Sequence, residues 1–146
     1  MPSKRSSGRR PAVARPEFLV DRSLGRLAVP TALRSVGSTV HTLADVYGEE
    51  AARETQDVEW IRLAAQRGWI VLCKDDRIRR RPAERDALTE GNVREFCLTN
   101  ANLSFADQAA YFTVNRHRIL QAARKQGPYL YGVYKDGIKK LWPPDG

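Results

Sequence analysis

The hydrophobic positions of this sequence fall into short apolar runs separated by segments with helical spacing. The run WIVLC is continuous, which is typical of a parallel strand buried on both faces. The run EFLV ends directly at Asp21, and STVHTL is rich in β-branched residues, so both also favour strands. The predicted strands are residues 17–20, 38–43, 69–73 and 93–98.

Helices are predicted between these strands. Apolar residues recur at helical spacing across residues 57–67, and Gly68 follows as a stop signal. Residues 24–36 also have a helical pattern, but Pro30 predicts a break or a second helix start there. The polar, acidic segment 44–55 is interpreted as a loop with at most one helical turn.

The second half of the chain predicts two more helices. A short one opens near residue 82 and ends at residue 91. The longest spans residues 104–126, because Ser104 followed by Asp107 resembles a capping box. Phe105 is expected to lie in the core, since it starts a row of apolar residues at helical spacing.

A hairpin is predicted at the end of the chain, where two apolar segments flank Asp136 and Gly137. Before it, strands and helices alternate along the sequence. This order predicts a three-layer α/β/α fold with a mostly parallel central sheet and a C-terminal β-hairpin.

The positive charge is unevenly distributed. The chain has 146 residues and a net charge of +8, and residues 1–16 contribute +5 of it without any acidic residue. We therefore predict a disordered basic tail over residues 1–16 and one domain over residues 17–146. Basic tails contact nucleic acids in many proteins, but this composition alone does not decide the function.

The cysteines and the hydropathy predict a cytoplasmic protein without a membrane segment. Cys73 and Cys97 lie inside apolar runs and lack metal-ligand spacing, so both are interpreted as buried thiols in a reducing compartment. No apolar stretch approaches the roughly 20 residues of a membrane span.

Three aspartates mark the candidate chemistry. Asp21 follows one predicted strand, Asp75 follows another, and Asp57 opens the helix between the second and third strands. The carboxyl ends of parallel strands share one sheet edge, so these carboxylates are expected to lie together. Two like charges about 4 Å apart repel by roughly 4 kcal/mol at an effective dielectric of 20, which favours a shared cation. Carboxylates without His or Cys favour Mg²⁺ or Mn²⁺.

Each aspartate also has a structural explanation. Asp57 is a suitable N-cap residue for a helix, and Asp21 and Asp75 are suitable turn residues at strand ends. For one aspartate alone the structural role is favoured, whereas the three together favour the metal site.

Basic residues surround Asp75 and predict an RNA-binding surface with salt-dependent affinity. A solvated basic loop is the alternative. The predicted RNA-binding residues are Arg22, Lys74, Arg77, Arg79, Arg80 and Arg81.

The strings FLVDRSLG and DVEWIRLAAQRGWIVLCKDDRIRRRP resemble the PIN-like nucleases, in particular the compact subgroup of VapC-type toxins. The resemblance extends over residues 17–143 and includes FCLTNANLS and the terminal LWPP. It implies a metal-dependent endoribonuclease whose three aspartates correspond to Asp21, Asp57 and Asp75. It also implies an RNA substrate, a cognate antitoxin as partner, and dimers as a frequent state.

The sequence departs from the family pattern at one place. Larger PIN domains have an additional Glu between the first two aspartates, and no single residue clearly corresponds to it. Glu59 and Asp76 are further candidates for orienting the attacking water, although each is also explained as a solvated surface acid. The candidates for the additional carboxylate are Asp45, Glu49, Glu50 and Glu59.

Two other functions compete with the nuclease. One is a catalytically degenerate PIN-like module that binds nucleic acid without cleaving it. The other is a phospho-acceptor receiver domain, which is also doubly wound with acids at its strand ends. Receiver domains need paired acids after the first strand, and Arg22 follows Asp21 here, so the receiver ranks last.

Overall fold

The computed structural model describes residues 15–75, 81–100 and 102–144. Its centre is a six-stranded sheet with strand order β2-β1-β3-β4-β5-β6. The first five strands in this order are parallel, and β6 pairs antiparallel with β5. The strands are β1 Glu17–Val20, β2 Thr39–Thr42, β3 Ile70–Lys74, β4 Arg94–Leu98, β5 Tyr129–Tyr134 and β6 Gly137–Trp142.

Helices cover both faces of this sheet, so the predicted three-layer α/β/α architecture with a C-terminal hairpin is confirmed. A 3₁₀ turn, Arg22–Leu24, follows β1. The α-helices are α1 Ala28–Ser35, α2 Leu43–Tyr47, α3 Glu49–Glu54, α4 Asp57–Arg67, α5 Pro82–Glu90, α6 Phe105–Val114 and α7 Arg116–Ala122.

Side-chain alternation along the strands divides the core into two layers. Phe18 and Val20 pack with α1, α6 and α7 on one face, whereas Leu19 between them packs with α4 and α5 on the other. This alternation continues through the next strand, where Val71 joins the layer of Leu19. Both predicted buried cysteines are confirmed, and they form a smaller cluster with Leu130.

The prediction of a loop over residues 44–55 is wrong, because this segment contains α2 and α3. Thr42 and Asp45 form a reciprocal capping box that starts α2. Gly48, at φ +86°, then separates the two helices. Both helices are shorter than the window over which periodicity becomes visible, which explains the error.

The predicted single helix over residues 104–126 is also wrong. It ends at Val114 and resumes at Arg116, because the buried side chain of Asn115 donates hydrogen bonds to the carbonyl oxygens of Tyr111 and Tyr134. Such side-chain bonds compete with helical backbone bonds.

Three further details refine the sequence-based predictions. Phe105 is 66% exposed, so its predicted place in the core is wrong. Pro30 lies in the first turn of α1, where backbone N–H groups have no acceptor within the helix, so the lack of an N–H in proline breaks no helical hydrogen bond. The hairpin is confirmed, but Tyr134 pairs with Gly137, so Lys135 and Asp136 form the turn.

The predicted disordered tail lies outside the described residues except for Arg15 and Pro16, and it stays a prediction. Among residues 15–75, 81–100 and 102–144, none of the helices combines the length and the apolar content that a membrane span requires.

Candidate active site

Asp21 and Asp75 extend two neighbouring parallel strands. The backbone N–H of Asp21 donates to the carbonyl oxygen of Leu72 at 3.0 Å, and that of Asp75 donates to Leu98 at 2.9 Å. Both aspartates thus continue the hydrogen-bond ladder beyond the ends of β1 and β3. The carboxyl edge of a parallel sheet is where ligands bind in such folds.

The strand alternation places both aspartates on the face that α4 and α5 cover. Val20 pairs with Leu72, so Asp21 is level with Cys73, and Asp75 lies two residues further along. Along the strand direction, Asp75 is therefore about 6–7 Å beyond Asp21. Asp21 is only 8% exposed, and Asp75 is half-buried.

Ser23 joins these two strand ends and was not predicted from the sequence. Its backbone N–H donates to Oδ1 of Asp21 at 2.8 Å, and its hydroxyl donates to the same oxygen. The hydroxyl oxygen in turn accepts the backbone N–H of Lys74 at 2.9 Å. A buried carboxylate needs such donors, and here they also fix its direction. A hydroxyl two residues after a strand-end acid is the local signal for this turn.

Asp57 is the first residue of α4 and not its N-cap, a position that Gln56 occupies, and a buried side chain orients it. The indole N–H of Trp60 donates to Oδ1 of Asp57 at 2.9 Å, and Trp60 is fully buried. A carboxylate in the first turn also interacts favourably with the helix dipole. The core of the protein therefore positions this acid.

Arg22 connects the turn after β1 with the segment that leads into α4. Its guanidinium donates to the carbonyl oxygen of Ala52 at 3.0 Å and to that of Thr55. Asp21 and Asp57 are thereby linked through one side chain and two backbone groups. RNA binding by Arg22 stays a prediction.

The candidates for an additional carboxylate lie in different environments. Asp45 caps α2; burial opposes its ionisation, but hydrogen bonds from Thr42 and Arg34 outweigh burial and lower its pKa. Glu49 forms an exposed ion pair with Arg26, whose hydrogen bond and charge lower the pKa of Glu49.

Glu49 is the candidate that lines a cavity together with Asp21. Glu50 and Glu59 are exposed. Glu59 lines a different cleft with Tyr47 and Arg62. Burial and the negative charge of Glu59 together raise the pKa of Tyr47.

The predicted RNA-binding residues are only partly described. Lys74 ends β3 and is half-buried, and Arg81 is exposed directly before α5. Asp76 and the remaining predicted RNA-binding residues lie outside the described residues, namely Arg77, Arg79 and Arg80.

The donor chemistry of the three aspartates fits a hard divalent cation, because all the side-chain donors are carboxylate oxygens. Within the described ranges, no three His, Cys, Asp or Glu side chains are already grouped as a metal site.

Comparison with known proteins agrees with this architecture. A family model described as "PIN like domain" matches residues 16–100, the region that contains all three aspartates. A Mycobacterium tuberculosis protein named "Putative ribonuclease VapC45" is 37% identical over 124 residues, which cover 85% of this chain and 90% of the relative. No solved structure matches the chain at a significant level. The resemblance inferred from the sequence is thus confirmed, and the chain belongs to the PIN-like domain family, in its VapC-type subgroup.

Proposed function

We propose that this protein is an endoribonuclease that hydrolyses RNA phosphodiester bonds with Mg²⁺ or Mn²⁺, and that it is the toxin of a toxin–antitoxin pair. One observation carries the proposal: Asp21 and Asp75 directly follow neighbouring parallel strands, on the face where Asp57 begins α4. Family membership and the name of the Mycobacterium tuberculosis relative support a ribonuclease. A cognate antitoxin is the expected partner, and the reducing cytoplasm is the expected location.

Asp21, Asp57 and Asp75 would hold the divalent cation. A bound divalent cation supplies activation of water and stabilisation of the negative charge that develops on a phosphate. The residues of the chain supply the orientation: Ser23 directs the carboxylate of Asp21, and Trp60 directs that of Asp57.

An additional carboxylate and a set of basic residues complete the proposed site. Glu49 is the favoured additional carboxylate, because it shares a cavity with Asp21, whereas Glu59 lines another cleft. Lys74 and Arg81 attract the RNA backbone by their charge. The predicted contacts of Arg77, Arg79 and Arg80, which lie between them in the sequence, add to this attraction.

The nuclease is tested by RNA cleavage with purified wild type, Asp75→Asn and the control Asp86→Asn, which makes the same change at an exposed position of α5. We expect wild type and control to cleave in Mg²⁺ or Mn²⁺ and to stop in EDTA. Asp75→Asn should lose more than about 100-fold in rate, because even the partners of metal ligands contribute 10–100-fold. RNA binding by the wild type without cleavage in either ion would contradict the nuclease and support the degenerate binding module.

The toxin role needs a separate test. Expression of the wild type should arrest growth, and Asp75→Asn should not. Co-expression of the cognate antitoxin, sought among the small proteins encoded by the neighbouring genes, should relieve the arrest. Arrest by both forms of the protein, or no relief, would contradict the toxin assignment.

A further inference from the structure

A cavity of about 430 Å³ opens beside Asp21, at the carboxyl ends of β1 and β2. Its apolar lining comes from Val20, Leu43, Ala44 and Ala52. Small-molecule sites have volumes of roughly 300–1,000 Å³, with apolar walls and a few polar groups, and this cavity meets both criteria. The proposed phosphodiester hydrolysis at Asp21 does not by itself explain an apolar cavity of this size.

Three arginines and two acids, Asp21 and Glu49, also line the same cavity. Arg22, Arg26 and Arg53 contribute to its lining, and Arg26 and Arg53 are exposed. Guanidinium groups contact phosphates and stack on the faces of nucleobases, whereas apolar walls accept a flat heterocycle. This combination of groups suits a nucleotide better than a purely apolar ligand.

The rim can open at low cost. Arg26 and Glu49 form an ion pair across it, and both side chains are more than half exposed. Exposed ion pairs contribute little to stability, since solvent competes for both charges. Arg26 can therefore release Glu49 and contact a bound nucleotide without disturbing the fold.

We propose that this cavity binds one nucleobase of the RNA strand, next to the phosphodiester held at Asp21. The inference rests on the proposed nuclease function and deepens it, because it makes the cavity a determinant of where the strand is cut. Single-stranded RNA is recognised in general by unstacked bases that enter such protein sites.

Two substitutions that fill the cavity test this proposal. Ala52→Phe and Ala44→Phe add an aromatic ring to its lining, and Ala51→Phe makes the same change at an exposed neighbour outside it. On a randomised RNA, both cavity variants should raise KM about tenfold with little change in kcat, because base stacking contributes at that level. They should also lose the wild-type base preference beside the cut, whereas Ala51→Phe keeps it.

Folding is checked for each variant by circular dichroism and thermal melting. Ala44 is half-buried and Ala52 is 9% exposed, so Ala44→Phe keeps the test decisive if Ala52→Phe fails to fold. Folded cavity variants whose KM and base preference equal those of Ala51→Phe would overturn the proposal.

A binding experiment separates this inference from the nuclease itself. Amide NMR shifts of the wild type are followed during titration with nucleoside 5′-monophosphates and, separately, with inorganic phosphate. We expect Leu43, Ala44 and Ala52 to shift with the nucleotides and not with phosphate. Equal shifts with phosphate, or no nucleotide shifts in this cavity, would overturn the base site. A wild type that binds nucleotides here but cleaves no RNA would contradict only the nuclease.

Discussion

The two ends of the parallel strands, called here the amino edge and the carboxyl edge of the sheet, use acidic residues in different ways. At the amino edge, Glu17 begins β1, and its Oε1 lies 2.6 Å from Nε2 of His41, whose ring stacks on Trp69 at 4.0 Å. This acid pairs with a ring that packs against the buried indole of Trp69. At the carboxyl edge, a turn and a buried indole direct Asp21 and Asp57.

The difference shows that position in the fold, and not the acid itself, marks the candidate chemistry. Glu17 and Asp21 belong to the same short stretch of chain, four residues apart. In open parallel sheets, ligands bind outside the carboxyl ends of the strands, and Asp21 lies there whereas Glu17 lies at the opposite end of β1. The following predictions test this contrast, from the largest expected effect to the smallest.

Asp21→Asn should reduce RNA cleavage by more than about 100-fold, because it removes a proposed ligand charge. Its stability should change by less than about 1 kcal/mol, since Asn also accepts the N–H bonds of a cap. Glu17→Gln, the matched change at the amino edge, should retain wild-type cleavage. Initial rates and urea unfolding measure both effects. Equal losses of cleavage in the two variants would remove the distinction between the edges.

Ser23→Ala should lower cleavage about 10–100-fold, the range found for groups that orient metal ligands. The hydroxyl joins Asp21 to the backbone of Lys74, so its loss leaves the carboxylate less well directed. Calorimetry with Mn²⁺ should show weaker binding, while Ser23→Thr should restore part of it. Unchanged Mn²⁺ affinity in Ser23→Ala would show that the turn is only structural.

Arg22→Ala should reduce kcat about tenfold, because a 1 Å misplacement of catalytic groups costs roughly 100-fold and the loss of one supporting side chain is expected to shift them by less. The guanidinium holds the backbone at Ala52 and Thr55, and so the start of α4. Arg22→Lys, which can donate to one carbonyl at a time, should recover part of kcat. If both variants change only KM for RNA, Arg22 contacts the substrate, as the sequence analysis predicted.

Arg81→Ala should produce the smallest change, a flatter salt dependence of RNA binding. Loss of one phosphate contact lowers the slope of log K against log salt by roughly 0.7 for a single strand. Arg124→Ala, at an exposed position near the amino edge, is the control and should keep the wild-type slope. Equal slopes for the wild type and both variants would show that Arg81 is solvated and does not contact the RNA.

The sequence predicted the sheet well because buried parallel strands are continuous apolar runs. The predicted positions of β1 and β3 also identified Asp21 and Asp75 as strand-end acids. The family resemblance rested on these residues, and it was confirmed.

Other features depended on tertiary contacts that leave no periodic signal. The bond from Lys74 to Ser23 spans 51 residues, and those from Arg22 span 30 and 33. Asn115 interrupts a helical pattern because it reaches the carbonyl oxygen of Tyr134 on a strand. Local spacing cannot report such distant partners, so the contacts of Ser23 with Lys74 and of Arg22 with Ala52 and Thr55 became visible only in the fold.

Trp60 belongs to the hydrophobic interior and also orients Asp57. A substitution that shifts the packing around this indole would turn the carboxylate along with it. If the proposed function holds, the interior on this side of the sheet evolves under a constraint from the site, because a variant selected only for tighter packing would misdirect Asp57 without any change to an acidic residue.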